Sequence, residues 1–233
     1  QFLCRELGIA LEAQWRTIYH ANQPQGSYEH TASEVARRSL KNLALRYLSY
    51  AAAEDSLSLL QAQFSDADNM TDRLSALTTL INDPRPEAQT MASASLVRFY
   101  EDWNHEPLVL NQWFQIQSAC ALPGGLARVE ALLEHSAFDL HNPNKVRSVI
   151  GVFCNSNPVN FHCKDGSGYR FLADQVLTLD KLNPQIAARL LTPLTRWRRF
   201  ATGPQQLMQA ELARIMAEPG LSKDTFEIVS KSI

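Results

Sequence analysis

The sequence predicts an all-α fold, a superhelical array of antiparallel helix pairs of the HEAT or armadillo kind, with roughly twelve helices. Three observations carry that prediction. Apolar residues recur at helical spacing almost everywhere, and the alternation of a strand appears almost nowhere. Most helical segments run 11–20 residues and are joined by links of two to six, the loop lengths of antiparallel helical neighbours. NPNKVRSVIGVF begins at Asn142 and NPQIAARLLTPL at Asn183, an offset of 41 residues that falls inside the repeat range of about 40–47. A single globular bundle is the alternative arrangement.

The elements follow in order. In HTASEVARRSLKNLALRYLSYAAAE, Thr31 and Glu34 have the spacing of a capping box. Ala36, Leu40, Leu43, Ala44, Tyr47 and Leu48 predict one buried stripe there. Asn69 opens the next helix, in which Leu74, Leu77 and Ile81 recur until Asp83-Pro84 stops it. An alanine-rich helix over 86–103 carries Leu96, Phe99, Tyr100 and Trp103 at its far end. Further helices are predicted over about 107–120, 123–135, 143–154, 167–181, 184–201 and 204–217, with a last one from Ser222. Asn104-His105-Glu106-Pro107, Pro123-Gly124-Gly125, Gly203-Pro204 and Pro219-Gly220 mark joints. No long Gly/Ser or charged linker divides the chain, so residues 1–233 read as a single helical domain.

Composition narrows the function classes. The chain is 45% hydrophobic and 20% charged with a formal net charge of −2, which gives no electrostatic footprint for nucleic acid or an anionic membrane. No window is long and apolar enough to predict a transmembrane span. QFLCRELGIALEAQWRTIYH has no signal-peptide pattern and no starting Met, and it opens inside a helical period; it reads as a cut end, the chain being a piece of a longer polypeptide. Cys4, Cys120, Cys154 and Cys163 show no C-x-x-C spacing. They read as reduced thiols of a cytoplasmic protein, with a Cys154–Cys163 disulfide as the alternative.

No reaction centre is legible. His105-Glu106 begins like a zincin motif, but Val109 stands where the second histidine is needed and Pro107 interrupts the helix. The six histidines lack metal-ligand spacing, and no nucleophile elbow or dinucleotide loop occurs. Asp165-Gly166-Ser167-Gly168 reads as a turn capped by Ser167 rather than a phosphate loop. Arg196, Arg198 and Arg199 in TRWRRF read as a solvated helix end, and Trp15, Trp103, Trp113 and Trp197 as packing residues.

Two arginines remain. Asn142 and Pro143 suit a helix start, and Val146, Val149, Ile150 and Phe153 form its core face. Arg147 lies about 100° round from Val146, with Gly151 one turn below leaving its flank open. In the second copy Gln185 and Arg189 are four apart and share a face. Pro193 has no N–H for the carbonyl of Arg189, which predicts a kink there. The plain reading gives both arginines surface ion pairs; the functional reading has them line a concave wall.

NPNKVRSVIGVF, SNPVNFHCKDGSGYRFLADQV and LNPQIAARLLTPLTRWRRF together closely resemble the C-terminal domain of the bacterial aminopeptidase N family, zinc-dependent alanyl aminopeptidases. The resemblance covers essentially the whole chain. It implies a noncatalytic helical cap that encloses the active-site chamber of a larger polypeptide and controls peptide access. It also implies that Arg147, Gln185 and Arg189 face the chamber and meet the C-terminal part of a bound peptide. The family's zinc ligands and catalytic glutamate lie in a preceding domain, so this chain is expected to hold no catalytic residue, metal or cofactor. Its expected partners are that catalytic domain and peptide substrates, with no nucleic acid and no membrane. A free-standing helical-repeat interaction module is the alternative, and an independent hydrolase lacks a site.

Overall fold

The computed structural model describes residues 2–233, which are helical and contain no strand. The fold class is the one the periodicity predicts. Two compact units divide the chain, Gln1–Asn104 and His105–Ile233.

The first unit contains α1 (Phe2–Ala10), α2 (Glu12–Ala21), α3 (Ala32–Tyr50), α4 (Ser56–Asp66), α5 (Met70–Asn82) and α6 (Pro86–Trp103). α4 is a helix that the sequence pattern does not predict. Gly8 lets α1 lie directly on α3, since a Cβ there would stand 2.6 Å from the carbonyl oxygen of Tyr47. Trp15 of α2 stacks on Tyr47 with ring centroids 4.4 Å apart. Leu45, Leu48, Leu60, Leu77 and Leu80 fill the interior between α3, α4 and α5.

The predicted face of α3 needs correction. Thr31 does cap the amide of Glu34, but the Glu34 carboxylate pairs with Arg37. Ala44 and Leu48 are buried and Tyr47 is half-buried, whereas Ala36, Leu40 and Leu43 are exposed. Polar residues take their place inside. Lys41 Nζ lies 2.5 Å from Asp72 Oδ2, and Asn42 donates to Asp72 Oδ1 at 2.8 Å. Gln63 donates to Asn42 Oδ1 at 2.8 Å and to the Asp72 carbonyl at 3.0 Å. Asn69, which caps α5 as predicted, adds a hydrogen bond to Asp72 Oδ2. Hydropathy mispredicts the face because a polar group with a buried partner does not have to face water.

α3 ends in a Schellman turn. The amides of Ala52 and Ala53 donate to the carbonyls of Ser49 and Leu48 at 2.9 and 3.1 Å. That geometry places Ala52 at φ +53°, a left-handed conformation in which its Cβ is strained. Ala52→Gly is therefore expected to stabilise the chain by about 1 kcal/mol. A rise in the urea midpoint at unchanged m would report it, and a fall would show that the turn carries no strain. Beyond the turn, Asp83 is held by Ser49 and Arg85 at 2.7 and 2.6 Å. Burial pushes its carboxyl pKa up, but these hydrogen bonds outweigh burial and hold it below the usual range.

The second unit runs from α7 (Pro107–Ser118) and α8 (Gly125–Leu133) to α9 (Pro143–Val146). From there the chain passes through a π-helical turn (Arg147–Gly151) into α10 (Val152–Ser156). Then come α11 (Pro158–Phe161), α12 (Ser167–Asp180), α13 (Pro184–Leu190), α14 (Thr192–Thr195), a 3-10 turn (Trp197–Arg199), α15 (Thr202–Met216) and α16 (Lys223–Ser230). Asn142, Asn183 and Ser222 cap their helices through side-chain oxygens. Val146, Val149, Ile150 and Phe153 are all fully buried, as predicted.

Two asparagines explain part of the quoted motif. Asn157 donates to the carbonyls of Ser118 and Cys120 at 3.0 and 2.8 Å, closing the end of α7. Asn160 accepts from the Gly125 amide at 3.1 Å and donates to the Leu122 carbonyl at 3.2 Å. Two local expectations change. The N-cap of α12 is Gly166, which has no side chain to cap with; the Asp165 carboxylate before it accepts from the Ser167 amide at 3.0 Å, and Ser167 is already helical. The helix predicted over 184–201 is broken into α13, α14 and the 3-10 turn. Pro193 is the physical reason, and the Thr192 hydroxyl takes the Arg189 carbonyl at 2.9 Å. None of the four cysteines is in a disulfide among the described residues.

Candidate functional site

Arg147 opens the π-helical turn. The buried Ser148 hydroxyl donates to the Lys145 carbonyl at 2.8 Å. The Arg147 guanidinium projects to the surface, where Asn144 Oδ1 accepts from Nη2 at 2.7 Å. Among the described residues it makes no ion pair, and neither does Arg189 on α13. The plain reading of the two arginines as surface ion pairs therefore does not hold.

Arg147 and Arg189 instead line the same groove, a space of about 290 Å³ bordered by Gly151, Asn155, Ile186 and Leu190. Gly151 leaves one wall of the groove without a side chain, though there is room for a methyl. A Cβ built on it would meet Arg147 Cβ at 3.8 Å and Leu190 Cδ2 at 3.9 Å. Gln185 is exposed one turn before Arg189 and is not part of the groove's lining. The structure thus unites two of the three predicted site residues in one groove.

Two asparagines escaped the sequence analysis. Asn144 stands three residues before Arg147, a spacing at which helical side chains meet. Asn155 borders the groove and donates to the Gly151 carbonyl at 2.9 Å. Behind the groove, Lys145 is buried with its Nζ 4.9 Å from the centre of the Phe114 ring and without a hydrogen-bond partner. Burial pushes its pKa down. Burial also lowers the pKa of His135, with the Lys145 charge adding to the effect.

Two guanidinia without acidic partners in one groove suit an anion, above all a carboxylate that can take paired hydrogen bonds. Among the described residues no group of three His, Cys, Asp or Glu side chains is placed to hold a metal ion. Among the described residues no helix is long and apolar enough to cross a membrane.

The whole chain, residues 1–233, matches the family described as "Domain of unknown function (DUF3458_C) ARM repeats". The chain belongs to this ARM-repeat family. The repeat type agrees with the array of antiparallel helix pairs read from the sequence. The ARM-repeat chain is 37% identical over 232 residues to aminopeptidase N of Escherichia coli, covering 99% of this chain and 26% of that protein. It is 38% identical to aminopeptidase N of Caulobacter vibrioides, over 94% of this chain and 25% of that protein. The chain thus spans about a quarter of the length of these curated relatives and corresponds to the C-terminal domain of aminopeptidase N-like proteins. Among solved structures, the Legionella pneumophila aminopeptidase A in complex with aspartic acid superposes with a TM-score of 0.89 at 31% identity. That match covers 100% of this ARM-repeat chain and 28% of the other.

Proposed function

We propose that this ARM-repeat chain is the noncatalytic cap of a zinc aminopeptidase N, in which it encloses the active-site chamber and governs peptide access. On this reading residues 1–233 act as a single C-terminal domain, and the zinc and catalytic groups lie elsewhere in the polypeptide. The observation that carries the reading is the groove in which Arg147 and Arg189 stand without acidic partners. A peptide bound by its amino end elsewhere would present its C-terminal carboxylate to these guanidinia, with Gln185 offering an amide just beyond the groove. Within a half-closed chamber the attraction is less screened than on an open surface. Such contacts position the peptide and leave bond cleavage to other groups. Val35, Leu40 and Leu43, exposed on α3, offer apolar surface to the rest of the polypeptide.

In the full-length enzyme, Arg147→Ala is expected to raise KM for a tetrapeptide about tenfold, the loss of one charge-assisted hydrogen bond. KM for a single-residue alanyl amide, which has no distant carboxylate, should change little. Equal changes for both substrates would refute the contact.

A further inference from the structure

A second cleft, in the first unit, has no part in the reading above. Its walls include Phe2 and Arg5 of α1, Arg46 and Tyr50 of α3, and Pro84 and Arg85 ahead of α6, and it encloses about 710 Å³. That volume lies within the range of about 300–1,000 Å³ of small-molecule sites. The contact at Gly8 fixes α1 against the last turn of α3, so the two helices hold their arginines over one space.

The charges in this cleft do not balance. Asp83 is the one acid in the lining, and it is taken by two hydrogen bonds from the Arg85 side chain and one from Ser49. Arg5 and Arg46 make no ion pair and no hydrogen bond among the described residues. Three arginines against one carboxylate leave the lining with two surplus positive charges, in a chain whose net charge is −2. Like charges facing one space without a counter-ion favour an anion there.

The rest of the cleft is not built for a bare inorganic ion. The Phe2 ring is 79% exposed, and Tyr50 and Pro84 continue the apolar wall beside the guanidinia. The hydroxyl of Thr79 is bonded within its own helix at 2.8 Å. The Ser49 hydroxyl is likewise taken by Asp83, and Arg5 and Arg46 are the charged groups of the lining that lack an ion-pair partner among the described residues.

We propose that this cleft binds a small organic anion in which a carboxylate is joined to an apolar or aromatic group. The carboxylate sits between Arg5 and Arg46, and the apolar part lies against Phe2, Tyr50 and Pro84. Guanidinium forks fix the carboxylate, while the rings remove apolar surface from water.

The test is titration calorimetry of the full-length polypeptide at low salt with N-acetyl-L-phenylalanine as probe. N-acetyl-L-phenylalaninamide and inorganic phosphate serve as comparators. Arg46→Ala and Arg5→Ala are each expected to weaken probe binding at least about tenfold, the amide to bind at least about tenfold more weakly, and Arg46→Lys to restore part of the loss. Arg98→Ala, on the exposed face of α6 and outside both clefts, should leave this binding unchanged. Arg5 and Arg46 are exposed and unpartnered, so their substitution does not threaten folding. Equal binding of acid and amide would overturn the proposal, as would phosphate binding as tightly as the probe. Loss of binding in Arg147→Ala alone would assign the probe to the other groove and overturn it as well.

Discussion

Replacing Asp72 by alanine is expected to cost the folded chain about 3–5 kcal/mol, the largest stability loss of any single-charge change in the first unit. Asp72 is 1% exposed and Lys41 3% exposed, so neither can turn to water when the other is removed. The substitution strands the Lys41 ammonium and also deprives Asn42 and Asn69 of an acceptor. Against a total stability of about 5–15 kcal/mol, such a loss brings the unit close to unfolding at room temperature. Urea denaturation of Asp72→Ala, Lys41→Met and the double variant measures it. The double variant should recover much of the loss, because the penalty lies in the unpaired charge rather than in the missing attraction. A single-variant loss below about 1 kcal/mol would mean that the pair behaves as an exposed one.

Gly168→Ala is the second large effect, for a steric reason. The added methyl would stand 2.2 Å from the carbonyl oxygen of Phe161 and 2.8 Å from its carbonyl carbon and Cα. These are backbone atoms, and no rotamer change relieves the contact, so α11 and α12 have to separate. Nearby, the His162 ring and the Tyr169 hydroxyl, 2.8 Å apart, would lose their alignment. The expected loss is about 3 kcal/mol or more. Gly151→Ala provides the contrast. Its methyl meets only ordinary contacts at 3.8–3.9 Å, and helical alanine is intrinsically favoured, so stability should stay within about 1 kcal/mol of the parent. Comparable midpoints for the two variants in thermal melts would refute the close-approach argument at Gly168.

What the sequence discloses depends on how local the cause is. Caps at Asn69, Asn142, Asn183 and Ser222 involve an oxygen and an amide two or three residues apart, and each is legible as a short pattern. The break after Arg189 is legible too, because proline acts on its own helix, although its full effect on residues 184–201 is underestimated. The face of α3 was misread because Lys41 and Asn42 are drawn inward by Asp72, some thirty residues away in sequence. At the candidate site, the similar segments starting at Asn142 and Asn183 pointed to Arg147 and Arg189. Only the packing of α13 beside the π-helical turn shows that one groove holds both and leaves Gln185 outside it. The π-helical turn over Arg147–Gly151 carries no signal in the sequence, because the apolar residues around it keep the ordinary helical period.

Helices packed on leucine alone have a soft coordinate. One can slide along another by a turn, about 5.4 Å, and find new apolar partners at little loss. The cluster of Lys41, Asn42, Gln63 and Asp72 removes that freedom, because its bonds close only when α3, α4 and α5 stand at one offset. A slip of one turn would strand four buried polar groups together, each at about 1–3 kcal/mol. The stack therefore has a detent: looser apolar packing makes these helices rattle, but it does not let them settle one notch along.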